Sequence, residues 1–248
     1  MAKKKRFVIF KRETIKARIA LFRKKRDKNL KVVAQLHVRL MDGNDKTGIN
    51  CKTVSLLPYI DCTWYKCAFE GCYDLQNDLW RPSVQDSRAV NSAIHKADPE
   101  RYWREISMQI KANFVTELRI NIGGDMTNED FDFVQKLAEE NPTCHILFFT
   151  KNHFGIAQDI KKNGFRQIYK NLHPVLSAWK GLKIYNPYNL PVAHVRFPNG
   201  ECTAEDWEPI YLCGGNCSEC FHHYSMGNKK ESGCWGLMSN EAVLFDAH

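Results

Sequence analysis

Apolar positions recur at helical spacing in four stretches of this chain and at strand spacing in five. Ile15, Ile19 and Phe22 stand four and three apart, which predicts one apolar stripe on a basic helix over about residues 13–26. Asp98 and Pro99 open a second helix, the aspartate as its cap and the proline in its first turn. Tyr102, Trp103, Ile106, Ile110 and Phe114 form its expected buried face. A third helix is expected over 127–141, where Thr127 with Asp130 resembles a capping box and Phe131, Val134, Leu137 and Ala138 face inward before Pro142 ends it. A fourth runs over 154–163 with Gly164 at its end. The strands expected are 31–40, 118–122, 145–149, 171–177 and 192–197. Residues 42–45 (DGND) carry turn chemistry, and residues 61–74 (DCTWYKCAFEGCYD) show no period at all.

Strands alternating with helices imply parallel pairing through right-handed crossovers. The fold class expected is α/β, a partial or irregular (β/α) barrel with a cysteine-rich C-terminal metal-binding segment. Active residues in such folds lie at the C-terminal ends of strands. Gly123-Gly124-Asp125, Thr150-Lys151 and Ser177-Ala178-Trp179 all fall where such ends are expected. Gly-Gly-Asp is equally readable as an ordinary strand-to-helix turn, Trp179 as packing, and Asp125 with Lys151 as a pair across neighbouring strand ends.

Composition changes this picture at the N-terminus. The net charge is +8, and residues 1–31 hold 14 of the 36 Lys and Arg but 2 of the 28 acids. The basic character therefore belongs to an arm and not to the body. Its two readings are a nucleic-acid arm, since lysine and arginine displace counterions from phosphates, and a solvated helix docked by its stripe. Three parts are expected: the arm at 1–31, an α/β core at 32–200, and the cysteine-rich segment at 201–248. A hydrophobic share of 44% can fill a core, no apolar run is long enough to cross a bilayer, and the basic start lacks the apolar region of a secretory signal.

Ten cysteines bring in the candidate chemistry. Seven fall in two clusters: Cys62, Cys67 and Cys72, then Cys213, Cys217, Cys220 and Cys234. Tight clusters in a chain without a secretory signal point to metal in a reducing cytosol rather than to disulfides. Three thiols leave a fourth coordination position open for a small molecule, or for Cys51, Cys144 or Cys202. Four thiols close a site. Spacing does not separate iron–sulfur from zinc. His222 and His223 are alternative ligands in the second cluster, and Gly214, Gly215 and Gly233 let the backbone wrap around it.

In order and spacing, several motifs resemble the phage gene product 88 domain family and, more loosely, the radical S-adenosylmethionine barrels. They are residues 44–48 (NDKTG), 71–73 (GCY), 118–125 (LRINIGGD), 148–151 (FFTK) and 177–181 (SAWKG), with the terminal set of cysteines ending in Cys234-Trp235. The resemblance spans residues 44–236 and leaves the arm outside. It implies a phage-encoded protein of the host cytoplasm with a 4Fe-4S cluster on Cys62, Cys67 and Cys72. It further implies an auxiliary cluster on Cys213, Cys217, Cys220 and Cys234, an electron donor, and S-adenosylmethionine as cofactor. Tyr73, Gly123, Gly124 and Asp125 would contact that cofactor, with Asp125 and Lys151 as the catalytic candidates. The first cluster departs from the family spacing, being Cys-x4-Cys-x4-Cys and not Cys-x3-Cys-x2-Cys. The alternative expectation is a non-catalytic, zinc- or iron–sulfur-stabilised protein that binds DNA or RNA through residues 1–31.

Overall fold

A computed structural model describes residues 9–43, 47–48, 50–72, 74–75, 81–163, 170–204 and 211–247. Six helices lie within them: α1 (Arg12–Leu30), α2 (Pro82–Ala97), α3 (Pro99–Ala112), α4 (Asp130–Glu140), α5 (His153–Asn163) and α6 (Cys217–Ser225). Seven strands, β1 (Lys52–Val54), β2 (Glu117–Ile120), β3 (His145–Thr150), β4 (Leu172–Ser177), β5 (Val192–Arg196), β6 (Tyr211–Leu212) and β7 (Ala242–Asp246), make one sheet. Its order is β1-β2-β3-β4-β5-β7-β6, and every pairing is parallel. This is an α/β architecture compatible with a partial β/α barrel.

Side-chain alternation along parallel strands sorts the core into two faces. Val54, Leu118, Ile120, Ile146, Phe148 and Leu176 point to one face and pack with the apolar stripes of α2 to α5. Leu147, Val175, Ala193 and Val243 point to the other, where Trp235 and the C-terminal cysteines cover them. A third cluster lies under α1, where Ile15, Ile19 and Phe22 are 0%, 6% and 1% exposed and meet Leu57, Ala68, Leu75 and Ala89. The basic helix is thus docked by its stripe. Burying each such side chain contributes about 1.5–3 kcal/mol.

Asp98 caps α3 as its sequence indicates, its carboxylate accepting from the Arg101 N–H. Three expectations are corrected. Residues 31–40 form no strand: Val33–Gln35 is a short 3-10 turn, and pairing is confined to a bridge between Met41 and Thr53. Polar side chains from α3 take up that backbone instead, Glu105 and Gln109 bonding the N–H and C=O of Val38. Phe114 lies beyond the end of α3 at a positive φ and is 89% exposed. The third predicted helix starts at Asp130 rather than at Thr127, whose N–H and hydroxyl both donate to the Asp130 carboxylate. The turn at residues 44–45 and Gly164 lie outside the described residues.

Candidate functional site

The C-terminal ends of β1 to β4 converge on a cavity of about 200 Å³ lined by Cys62, Cys67, Cys72, Gly123, Gly124, Asp125, Lys151 and Trp179. The chain leaves β1 through Ser55 to Leu57 and enters the cysteine loop. There Leu57 N–H donates to the Asp61 carboxylate, and Tyr59 N–H donates to Cys62 Sγ at 3.2 Å. Cys67 sits in a 3-10 turn, Lys66–Phe69. Cys72 hydrogen-bonds Cys67, which lowers the Cys67 pKa and raises that of Cys72. Burial pushes the Cys62 thiol up.

Asp125 ties this loop to the sheet. Its Oδ1 accepts from Thr150 Oγ1 at 2.6 Å and Met126 N at 2.8 Å. Its Oδ2 accepts from Thr63 Oγ1 at 2.8 Å and Lys151 N at 3.0 Å. A carboxylate has about four lone-pair positions, and all four are occupied from within the chain. The Lys151 side chain does not pair with it; its ammonium lies 5.6 Å from the Trp179 ring centre. Burial works against the Lys151 charge, yet Cys67, Asp125, Cys62 and Cys72 around it hold its pKa above the ordinary value.

The glycines serve the protein's own packing. A Cβ on Gly123 would stand 2.1 Å from Asp74 Oδ2, and one on Gly124, where φ is +80°, would stand 2.7 Å from Leu56 Cβ. Asp74 is the cavity residue that motif reading missed. Its Oδ2 accepts from Arg88 at 2.6 Å, while Oδ1 is buried and has no partner among the described residues. Its partner Arg88 stands on α2, so only the folded chain reveals the pair. Tyr73 lies outside the described residues.

The second cysteine group lines a larger adjoining cavity of about 510 Å³ on the other face of the sheet. Cys213 follows β6, Cys217 and Cys220 occupy the first turn of α6, and Cys234 lies in the 3-10 turn Gly233–Trp235. The Asn216 side chain caps α6, and Trp235 Nε1 donates to the Cys217 carbonyl at 2.9 Å. Gly233 is required here, since φ is +50° and a Cβ would lie 2.9 Å from Cys220 Sγ. Gly214 and Gly215 face open space. Tyr211 and Cys220 hydrogen-bond at 2.9 Å. His222 is exposed, and His223 turns to Glu231 at 3.3 Å. Cys51 interacts with Cys217 and Cys144 on this side, away from the first group.

Arg119 of β2 joins the two cavities, lining both together with Phe149 and Trp179. Its guanidinium donates to Cys217 Sγ at 3.3 Å and stacks over Phe149 at 4.9 Å, while Nε is enclosed with no partner among the described residues. Burial opposes its charge, but Cys217, Cys234 and Cys51 raise its pKa. All ten cysteines are free. Among the described residues, no three His, Cys, Asp or Glu side chains are arranged to hold a single metal ion, and no helix is long and apolar enough to cross a membrane. No family model, curated protein or solved structure matches the chain.

Proposed function

We propose that this chain is an iron–sulfur enzyme of the radical S-adenosylmethionine type, as its resemblance to phage gene product 88 domains implies. Cys62, Cys67 and Cys72 would hold an open 4Fe-4S cluster, and Cys213, Cys217, Cys220 and Cys234 a closed auxiliary one. The observation that carries this reading is that each cysteine group shares its cavity with a partly buried cation, Lys151 for the first and Arg119 for the second. Neither cation forms an ion pair with a carboxylate among the described residues. An enclosed charge is costly unless opposite charge faces it. Asp125 supplies part of it at Lys151, neutral thiols add none, and metal-bound thiolates would supply the rest. The donor chemistry therefore suits a thiolate-ligated group at both places, while no three of these side chains stand around a single ion position among the described residues.

When bound, the cluster and S-adenosylmethionine supply one-electron reductive chemistry; the chain supplies the setting. Lys151 keeps its proton and balances the first thiolate set. Asp125 holds the cysteine loop against the ends of β2 and β3. Asp74, with one oxygen unpartnered, is the acid in the cavity able to accept from an amino group, a role the occupied Asp125 carboxylate does not fill. Trp179, Phe149, Val195 and Phe245 give the cavity an apolar wall.

Anaerobic reconstitution is expected to give a brown protein with about eight irons per chain, four for each cluster. Dithionite with S-adenosylmethionine is expected to release 5′-deoxyadenosine. A colourless, zinc-containing protein, or an iron-loaded one that releases no 5′-deoxyadenosine, overturns the reading.

A further inference from the structure

Five of the bases of α1 flank its buried stripe, two on one side and three on the other. On one, Arg18 donates to the Leu75 carbonyl at 3.3 Å, and Lys25 bonds Gln85 and Asp86 of α2 at 3.0 and 2.8 Å. On the other side of the buried stripe, Arg12, Lys16 and Arg23 fall within about 40° of one another, at successive rises of about 6 and about 10 Å. All three are exposed, and none forms an ion pair among the described residues. Arg12 shows which way this row faces, its guanidinium standing over the Phe69 ring of the cysteine loop at 5.6 Å. From Phe69 an aromatic strip continues: Tyr59 meets it edge-on at 6.0 Å, and Tyr65 meets Tyr59 at 5.2 Å. Tyr65 is 50% exposed. Its neighbour Trp64, with Cys62 and Cys67, lines the first cavity.

We propose that this row and strip bind a single-stranded nucleic acid, with backbone phosphates on Arg12, Lys16 and Arg23 and a base stacked on Tyr65, next to the cavity-lining Trp64. Cations in a row give sequence-independent grip, and an exposed aromatic beside them gives a stacking platform that any base can use. A basic helix face alone is usually only solvated. Here the row leads through touching rings to the same loop that carries the cysteines. That the bound strand is the substrate of the cavity rests on the enzymatic reading; the binding itself does not.

The test is fluorescence anisotropy of the full chain with a labelled mixed-sequence single-stranded oligonucleotide, titrated with salt. Lys16→Gln with Arg23→Gln is expected to weaken binding at least tenfold at low salt. It should also lower the slope of log K against log salt by about 1.4, the share of two phosphate contacts on a single strand. Tyr65→Ala is expected to weaken binding about tenfold with the slope unchanged. Lys24→Gln with Lys28→Gln, equally exposed but off the row, is expected to change affinity less than threefold. Three outcomes overturn the proposal: no binding by the wild-type chain, equal losses for the two double variants, or binding to phosphatidylserine vesicles that nucleic acid does not displace. Failure to release 5′-deoxyadenosine leaves these binding results untouched and sinks the enzymatic reading alone.

Discussion

Asp125 bonds residues 63, 126, 150 and 151 at once, so it fixes the cysteine loop relative to two strand ends. Asp125→Ala strands buried donors and is expected to lower unfolding free energy by about 2–4 kcal/mol in urea titrations. It should also cut iron retention after reconstitution. Thr63→Val, which removes only the loop's own tie, should reproduce the loss of iron with a smaller loss of stability, about 1 kcal/mol. Position was legible at this scale: Asp125 and Lys151 do lie at strand ends facing the thiols. Occupancy was not. Whether a carboxylate is saturated depends on donors brought in from elsewhere in the chain, and the same holds for the unpartnered Asp74 oxygen and for Arg119.

Among the elements, α1 and α3 were readable because their buried positions, Ser107 apart, are apolar and keep a regular helical period. Removing the centre of the α1 stripe tests whether that period is what docks the helix. Phe22→Ala is expected to cost about 3–5 kcal/mol. Leu21→Ala, at a position 45% exposed, should stay within about 0.5 kcal/mol. Chemical denaturation of both variants checks this, and equal effects would mean that α1 is not held by its stripe. The helix α2 escaped notice because much of its buried face is polar. Gln85, Arg88, Asn91, Ser92 and His95 are all buried on it beside Ala89, Val90, Ala93 and Ile94. Arg88 pairs with Asp74, Asn91 bonds the backbone at Arg39 and Ser55, and His95 meets Asp130 at 2.7 Å. A buried polar face survives only with partners, and those partners come from distant segments. The strands β1, β6 and β7 were missed as well; β1 and β6 hold three and two residues, too few to show a period.

For the whole molecule, the C-terminal segment packs across the sheet over a histidine pair. His145 Nδ1 and His173 Nε2 stand 3.0 Å apart, beneath Tyr224 and Trp235. Burial, reinforced by His145, lowers the His173 pKa to about 3. An unfolded histidine binds its proton near pH 6.5, so below that the unfolded state holds more protons and folding stability falls with pH. The fall continues toward pH 3 with a slope of at most about 1.4 kcal/mol per unit from this residue. On the helical face His95 works the other way: burial opposes its charge, but Asp130 raises its pKa. Its contribution is therefore present below pH 6.5 and lost as pH rises through its folded pKa. Urea midpoints from pH 7.5 to 5 are expected to fall more steeply for the wild type than for His173→Phe. Parallel curves would mean that His173 titrates normally.

By itself, the sequence determined the alternation of strands and helices, the capped start of α3, the docking stripe of α1 and the two cysteine groups. Each of these rests on short-range spacing, which the chain carries locally. Only tertiary structure decided that the two groups adjoin through Arg119, that Asp74 and not Asp125 keeps an open oxygen, and that α2 stands as a helix with a polar buried face. Those depend on pairings across dozens of residues, and a charged or polar side chain acquires its role from whatever the fold sets opposite it.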